Sequence, residues 1–511
     1  VNAEHRGNAE HRDNAEQRGT AGRRSGAGQR PAGRRSVLRM AGVGGLLAAG
    51  GVLGTLGIRS ALAGSGPAPR IPGALPWPST SPSGIASGRP SGSPGGPRAS
   101  WSELFQSGHG WTAAGQGTSS ADLNDHSLFA TGDQSVRVTT NGNGEQSYVH
   151  RLGMPALDLT GKMIRLVLRV DDTTHLHRLA FYVGSDRLAN GYVWEYHTHS
   201  RTTANYVGSG EWVTVHLQWA DVSKSLGGYA LSPYSVPSQT SGFTDMSFAV
   251  YDDGGGPVTY HLQSVELIPD TASVFPRGAV SITFDDSYAS VHDLARPVMD
   301  RHGYTGTIYN IAQAIGTSRF LTTDQMSSLQ NGSGWEMAGH AYGTAAHALG
   351  YNQLNSQQVD ADLRQLRSWL EAHRFATDHF AYPHGAFQQT TDGVPVDSIA
   401  RRYFKTARSI VSETTESVPP AMPYRLKALT GLNDGQYTTG EPMSAVLGLG
   451  GSLDRCAHDG DWLILTFHEL VTGAPGSSTQ ISQQAFASVM AAIADRGIPV
   501  VTIAKAMTYW T

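Results

Sequence analysis

Thiol chemistry is nearly absent from this chain of 511 residues, which holds one cysteine, Cys456. That excludes an intrachain disulfide and a zinc site built on thiolates. Lysine is scarce beside arginine, the formal net charge is −4, and no basic patch interleaves with aromatic residues. Nucleic acid is therefore excluded as a partner. No Gly-x-Ser-x-Gly elbow stands beside a suitable strand, which removes support for serine hydrolase chemistry. Apart from one weakly apolar stretch near the N-terminus, nothing approaches the roughly 20 strongly apolar residues of a membrane span.

What is present divides into five blocks. Residues 1–33 open with a polar six-residue repeat (Asn2–Gly7, Asn8–Asp13, Asn14–Gly19) that cannot bury a core and is expected to be disordered. Residues 34–63 carry Arg34-Arg35-Ser36-Val37-Leu38-Arg39, a Gly- and Ala-rich stretch from Met40 to Leu56, and Ala61-Leu62-Ala63. This pattern predicts twin-arginine export with cleavage after Ala63, leaving no stable span and placing the mature chain outside the cell or in its envelope. Residues 64–100 are a linker of Pro, Ser and Gly. Residues 101–272 alternate with period two, as in Ile164, Leu166, Leu168 and Val170, and turn residues such as Asn141 to Gly144 separate the runs. Many short strands without helices predict an antiparallel β-sandwich of jelly-roll type. Trp194, Tyr196, Tyr206 and Trp212 are candidates there for stacking on sugar rings or for the core. Asp252-Asp253 reads as a polar turn or a calcium site.

From 273 to 511 strand-like runs alternate with helical ones. They are Ala279–Phe284, Thr307–Ile311, Trp335–Gly339, His379–Tyr382, Phe404–Ala407, Trp462–Phe467 and Pro499–Ile503. The clearest helix, Ser356 to His373, keeps Val359, Leu363, Leu366 and Leu370 on one face. Such alternation predicts an α/β fold with a mainly parallel sheet closing into a (β/α) barrel, with chemistry at the C-terminal strand ends. The first run stops on Asp285 and Asp286. Adjacent carboxylates at a buried strand end raise one another's pKa unless a cation or donor intervenes. An Asp-Asp at a strand-to-helix junction is also what an ordinary cap looks like. The two readings are separated by His340, His347 and His468, which stand at or just beyond the ends of other strand-like runs.

Thr283-Phe284-Asp285-Asp286, Gly339-His340, Phe380-Ala381-Tyr382-Pro383-His384-Gly385 and Leu463 to His468 resemble, in order, the motifs of the NodB-homology polysaccharide deacetylases, carbohydrate esterase family 4. The resemblance spans about Pro276 to the C-terminus. It implies a distorted (β/α) barrel, a divalent metal with zinc as the expected ion, and removal of N-acetyl groups from an amino-sugar polymer. That polymer is an exopolysaccharide, peptidoglycan or a chitin-like chain. By the same resemblance Asp286, His340 and His347 are metal ligands, Asp285 is the general base and His468 the general acid. Tyr382, Pro383 and His384 line the substrate, with the His384 N–H at the oxyanion.

Two positions depart from the family pattern. The second ligand histidine usually follows the first by four or five residues, but position 344 is Thr and His347 lies seven on. His347 is either a ligand returned by a longer loop or a surface residue. Many members also carry Arg at the place of Ala381, where it steadies the base. The carboxylate that tunes the acid histidine has only Asp434 and Asp461 as candidates. An O-acetyl (xylan) esterase uses the same machinery, and a non-catalytic carbohydrate-binding protein is the reading from another class. Replacing Arg34 and Arg35 by Lys is expected to leave the precursor in the cytoplasm; cell fractionation showing unchanged export would refute the address.

Overall fold

A computed structural model describes residues 97–197, 206–411, 415–432, 434 and 443–509. The repeat, the twin-arginine stretch and nearly all of the Pro/Ser/Gly linker lie outside the described residues. Among these residues no helix is long and apolar enough to cross a membrane.

The period-two region forms two antiparallel six-stranded sheets. One runs Glu211–Leu217, Lys162–Val170, Thr259–Pro269, Ser135–Thr140, Thr118–Asp125, with Trp101–Glu103 beside Thr259–Pro269. The other runs Lys224–Leu226, Asn190–His197, Leu176–Ser185, Asp245–Asp252, Gln146–Arg151, Thr112–Ala114. Alternation sends one face of each strand inward. Ile164, Leu166, Leu168 and Val170 of the first sheet share one buried cluster with Leu179, Phe181, Val183, Phe248 and Val250 of the second. Trp194 belongs to that core at 1% exposure. Tyr206 packs between this core and the next, and the Tyr196 hydroxyl and Trp212 indole N–H are buried. These rings are held by packing, while the partly exposed tyrosines of the second sheet's outer face are Tyr148, Tyr182 and Tyr251. Asp252 accepts the N–H groups of Gly142, Gly144 and Gly254, so its carboxylate closes a turn.

Seven parallel strands make the second sheet system, in the order Thr406–Arg408, His379–Ala381, Glu336–Ala341, Thr307–Ile311, Ala279–Phe284, Trp462–Phe467, Leu429–Thr430. The sheet curls until its two edges approach: a single bridge joins Arg408 to Leu426, three residues before the last strand. Tyr309, Ala338, Ala381, Leu426 and Ile464 fill the inside of the curl. Outside, the helix Ser356–Ala372 lays Val359, Leu363, Leu366 and Leu370 on the sheet. A Cβ at Gly339 would stand 2.9 Å from Leu366, so glycine there lets the helix approach. The run expected as a strand at Pro499–Ile503 makes one bridge, Val280 to Val500. It then turns into the helix Ile503–Met507, because the Thr502 side chain caps Lys505. The helical stretch around Cys456 is two helices, Met443–Leu447 and Ser452–Asp459, parted by the glycines at 448, 450 and 451. Cys456 is a buried free thiol.

The antiparallel sheets are bonded to the parallel system through buried polar groups. Arg425, 3% exposed, holds Glu211 through two 2.6 Å contacts and Asp397 through one of 3.2 Å. His216 meets Ser417 at 2.8 Å, and the Gln218 amide bonds both Thr415 and Thr271. Asp459 accepts the Ala220 N–H, Thr415 donates its hydroxyl to Asp461, and the Thr415 N–H reaches Asp221. Burial pushes the carboxyls of Asp221, Glu416 and Asp461 upward against the nearby Lys427, and raises Asp459 to about 7 with help from Asp270 and Asp221. A raised carboxyl binds its proton more tightly folded than unfolded, so stability falls as pH climbs from the unfolded value of about 3.9 through the folded one. For Asp459 that window reaches about 7. Thermal midpoints should decline across it, and less steeply in Asp459→Asn; a wild-type midpoint that rises over the same window would contradict this electrostatic picture.

Candidate active site

The strand Ala279–Phe284 delivers Asp285 to the rim of the sheet, where its N–H donates to the Phe467 carbonyl. The next two residues take left-handed backbone, with φ of 69° at Asp286 and 64° at Ser287. Non-glycine residues adopt this region at a cost of about 1–2 kcal/mol each. The neighbouring strand offsets it: the buried Ser287 hydroxyl donates to Asn310 and accepts the Ile311 N–H, and the Ser287 carbonyl accepts from Leu321. The chain reverses at Asp286, so the two adjacent carboxylates have different nearest partners, with His340 Nε2 between them at 3.6 Å from Asp286 Oδ1 and 4.0 Å from Asp285 Oδ2.

Asp286 faces two imidazoles. Its Oδ1 is 2.9 Å from His347 Nε2 and 3.6 Å from His340 Nε2. One ligand atom from each of the three residues lies within 4.8 Å of the others. His340 Nδ1 is 2.7 Å from the Ala381 carbonyl. A carbonyl only accepts, so Nδ1 carries the proton and the Nε2 lone pair points into the cluster. Burial works to raise the Asp286 carboxyl, but the two imidazoles beside it and the charge of His468 outweigh that and hold it well below the usual range. One ionised carboxylate and two imidazole nitrogens are a donor set suited to a divalent transition metal such as zinc. His347 joins the cluster because the residues after the strand Glu336–Ala341 wind into a short helix, Thr344–Leu349.

Asp285 is 4% exposed and faces another cation. Arg408, fully buried, donates to both its oxygens at 2.8 and 2.6 Å. This residue escaped sequence reading, which ended the strand at Ala407. Arg408 is the register partner of Ala381 on the adjacent strand, so the guanidinium missing at 381 arrives from one strand over. The available signal was an arginine ending an otherwise apolar run. His468 stands on the far side, its Nε2 3.9 Å from Asp285 Oδ2.

The remaining expected residues scatter in role. Tyr382 is 1% exposed and donates its hydroxyl to the Tyr424 carbonyl, and Pro383 is buried, so both side chains support the fold. His384 is exposed, has φ of 54°, and places Nε2 2.9 Å from the His347 carbonyl. Desolvation where the ring meets the protein, with the neighbouring His347 and His340, keeps its imidazole below the ordinary histidine value. Gly385 follows because a Cβ there would come within 2.3 Å of Ile410. Asp461 precedes the strand Trp462–Phe467, at the end opposite His468, and bonds Thr415, so it does not tune the acid. Asp434 is exposed between residues outside the described set.

Residues 273–396 match the polysaccharide deacetylase family, and this part of the chain is a domain of the NodB-homology group of those proteins. Over 146 residues the chain is 29% identical to "Putative polysaccharide deacetylase YxkH" of Bacillus subtilis (strain 168), covering 28% of this chain and 49% of that protein. The chain thus spans about half the length of this curated relative. Among solved structures, the Xyl-CE4 domain of a multidomain xylanase from the hindgut metagenome of Trinervitermes trinervoides aligns at 15% identity with a TM-score of 0.30, over 45% of this chain and 90% of that one. A family 4 carbohydrate esterase from Streptomyces lividans, solved with acetate, aligns at 17% identity with a TM-score of 0.28, over 44% and 91%.

Removing Arg408 leaves Asp285 as an uncompensated buried charge. Arg408→Met is expected to lower stability by about 3–5 kcal/mol in urea denaturation. Because positions 381 and 408 are register partners, Ala381→Arg in an Arg408→Ala background should recover part of the loss; no recovery would show that the site depends on the strand from which the guanidinium comes.

Proposed function

We propose that this protein is an exported, metal-dependent hydrolase that removes N-acetyl groups from an amino-sugar polymer. The observation that carries the reading is the division of the strand-end pair: Asp286 stands nearest His340 and His347, while Asp285 is paired with Arg408 and lies 3.9 Å from His468 and 4.0 Å from His340. Asp286, His340 and His347 would hold the divalent ion, zinc by preference, in a set that leaves room for water and substrate. The ion supplies Lewis acidity, polarising the acetyl carbonyl and lowering the pKa of water toward about 7.

The chain's own groups do the proton work. Asp285, oriented by Arg408, takes a proton from water as the water oxygen bonds to the acetyl carbon. The His384 N–H, in the tight turn after Pro383, donates to the oxygen that gains charge. His468 gives a proton to the sugar nitrogen as the C–N bond breaks, since an amine anion does not leave at neutral pH. Acetate and a free amine are the products. The antiparallel sheets add contact with the polymer and carry none of the ligand motifs.

Mutation separates the two carboxylates. Asp286→Asn is expected to lose metal and acetate release together. Asp285→Asn should keep its metal and lose roughly 10²–10⁴ in rate. Metal analysis and acetate release from acetylated glucosamine polymers, with acetylated xylan alongside, check both. Metal loss in Asp285→Asn with retention in Asp286→Asn would exchange the assigned roles.

A further inference from the structure

The segment from Ala341 to Tyr351, which carries His347, is buried at its two ends, Ala341 and Tyr351, and rests Tyr342 and Ala346 partly buried against the core. Its short helix Thr344–Leu349 has no buried residue, and Leu349 is 56% exposed. A ligand on that exposed helix holds its place only if the backbone on either side of it is fixed. Two side chains from elsewhere fix it. Asp362 lies at 7% exposure on the apolar face of the helix Ser356–Ala372, among Val359, Leu363 and Leu366. A carboxylate is costly in that position unless it is fully bonded. Its Oδ2 accepts the Tyr342 N–H at 2.9 Å and the Tyr351 hydroxyl at 2.6 Å, and its Oδ1 accepts the Gly343 N–H at 2.8 Å. One carboxylate therefore grips the segment at both ends, before and after the helix that carries His347. The second side chain is His384, whose Nε2 donates to the carbonyl of His347 itself at 2.9 Å. That carbonyl, in the last turn of the helix, also accepts the Gly350 N–H at 3.3 Å.

Resting on the metal-site reading above, we infer that Asp362 and His384 are positioning residues for His347, together setting the affinity of the site for its ion. The seven-residue separation of His340 and His347 calls for such a device, since the longer segment returns the second imidazole without support from the strand. Neither residue is hydrogen-bonded to Asp286 or His340; Asp362 acts through the backbone around His347, and His384 through the His347 carbonyl and a ring contact with 5.5 Å between centroids.

The experiment measures Zn2+ affinity of the metal-free full chain by competition with a chromophoric chelator. Asp362→Asn and His384→Phe are each expected to weaken Zn2+ binding by about 10–100-fold. Both losses should vanish in a His347→Ala background, which a purely structural role would not produce. Asp360→Asn is the control: Asp360 lies on the same helix but bonds Arg402 and Tyr403, and Zn2+ affinity should stay unchanged. If Asp362→Asn fails to fold, as circular dichroism would show, His384→Phe on the exposed turn carries the test alone. Wild-type affinity in both variants, or equal losses with and without His347, would overturn the inference. Failure of the underlying metal-site reading looks different: His347→Ala itself would then bind Zn2+ as the wild type does.

Discussion

Two carboxylates on consecutive residues at the end of a buried strand repel one another when both are ionised, and the rim of the parallel sheet supplies the groups that relieve that repulsion. The relief is divided. Asp285 receives a guanidinium at 2.6 and 2.8 Å, and Asp286 receives two imidazoles. The left-handed backbone at Asp286 and Ser287 makes the division possible, because it turns the second carboxylate out of the first one's surroundings. Without Ser287 bonded to Asn310 and Ile311, that reversal would have nothing to hold it.

The curled parallel sheet brings the compensating groups from different strands to one rim. Asp285, His340, Arg408 and His468 stand at or just beyond the C-terminal ends of four strands, and the register between neighbours fixes their heights. Ala381 and Arg408 are register partners on adjacent strands, and the guanidinium comes from the second of them. What the chemistry requires is a cation in the layer of Asp285, and two register partners on adjacent strands supply the same layer.

The antiparallel sheets are more than a tethered neighbour. Arg425 is buried with one carboxylate from each side, Glu211 and Asp397, and Gln218 satisfies Thr415 and Thr271. Separating the two sheet systems would expose buried ions and unpaired donors together, the costly kind of disruption. The buried carboxyls of Asp221, Glu416, Asp459 and Asp461 at the same junction make its cohesion depend on bound protons as well as on apolar contact.

Local pattern was enough to read the strands Ala279–Phe284, Thr307–Ile311 and Trp462–Phe467 and the helix around Leu363, because period and apolar content are properties of neighbouring residues. The ordered motifs likewise pointed to Asp285, Asp286, His340 and His468, since each ends a run whose direction the pattern supplies. Residues that act across the chain were not legible. Whether His347 reaches Asp286 depended on the winding of a six-residue helix. Arg408 depended on interstrand register, the burial of Tyr382 and Trp194 on what packs over them, and the value of Asp362 on a loop twenty residues away. Side-chain period sets which face a residue takes, but only the assembled sheet and its loops decide what stands opposite, and an ionised group's role is fixed by the charge it faces.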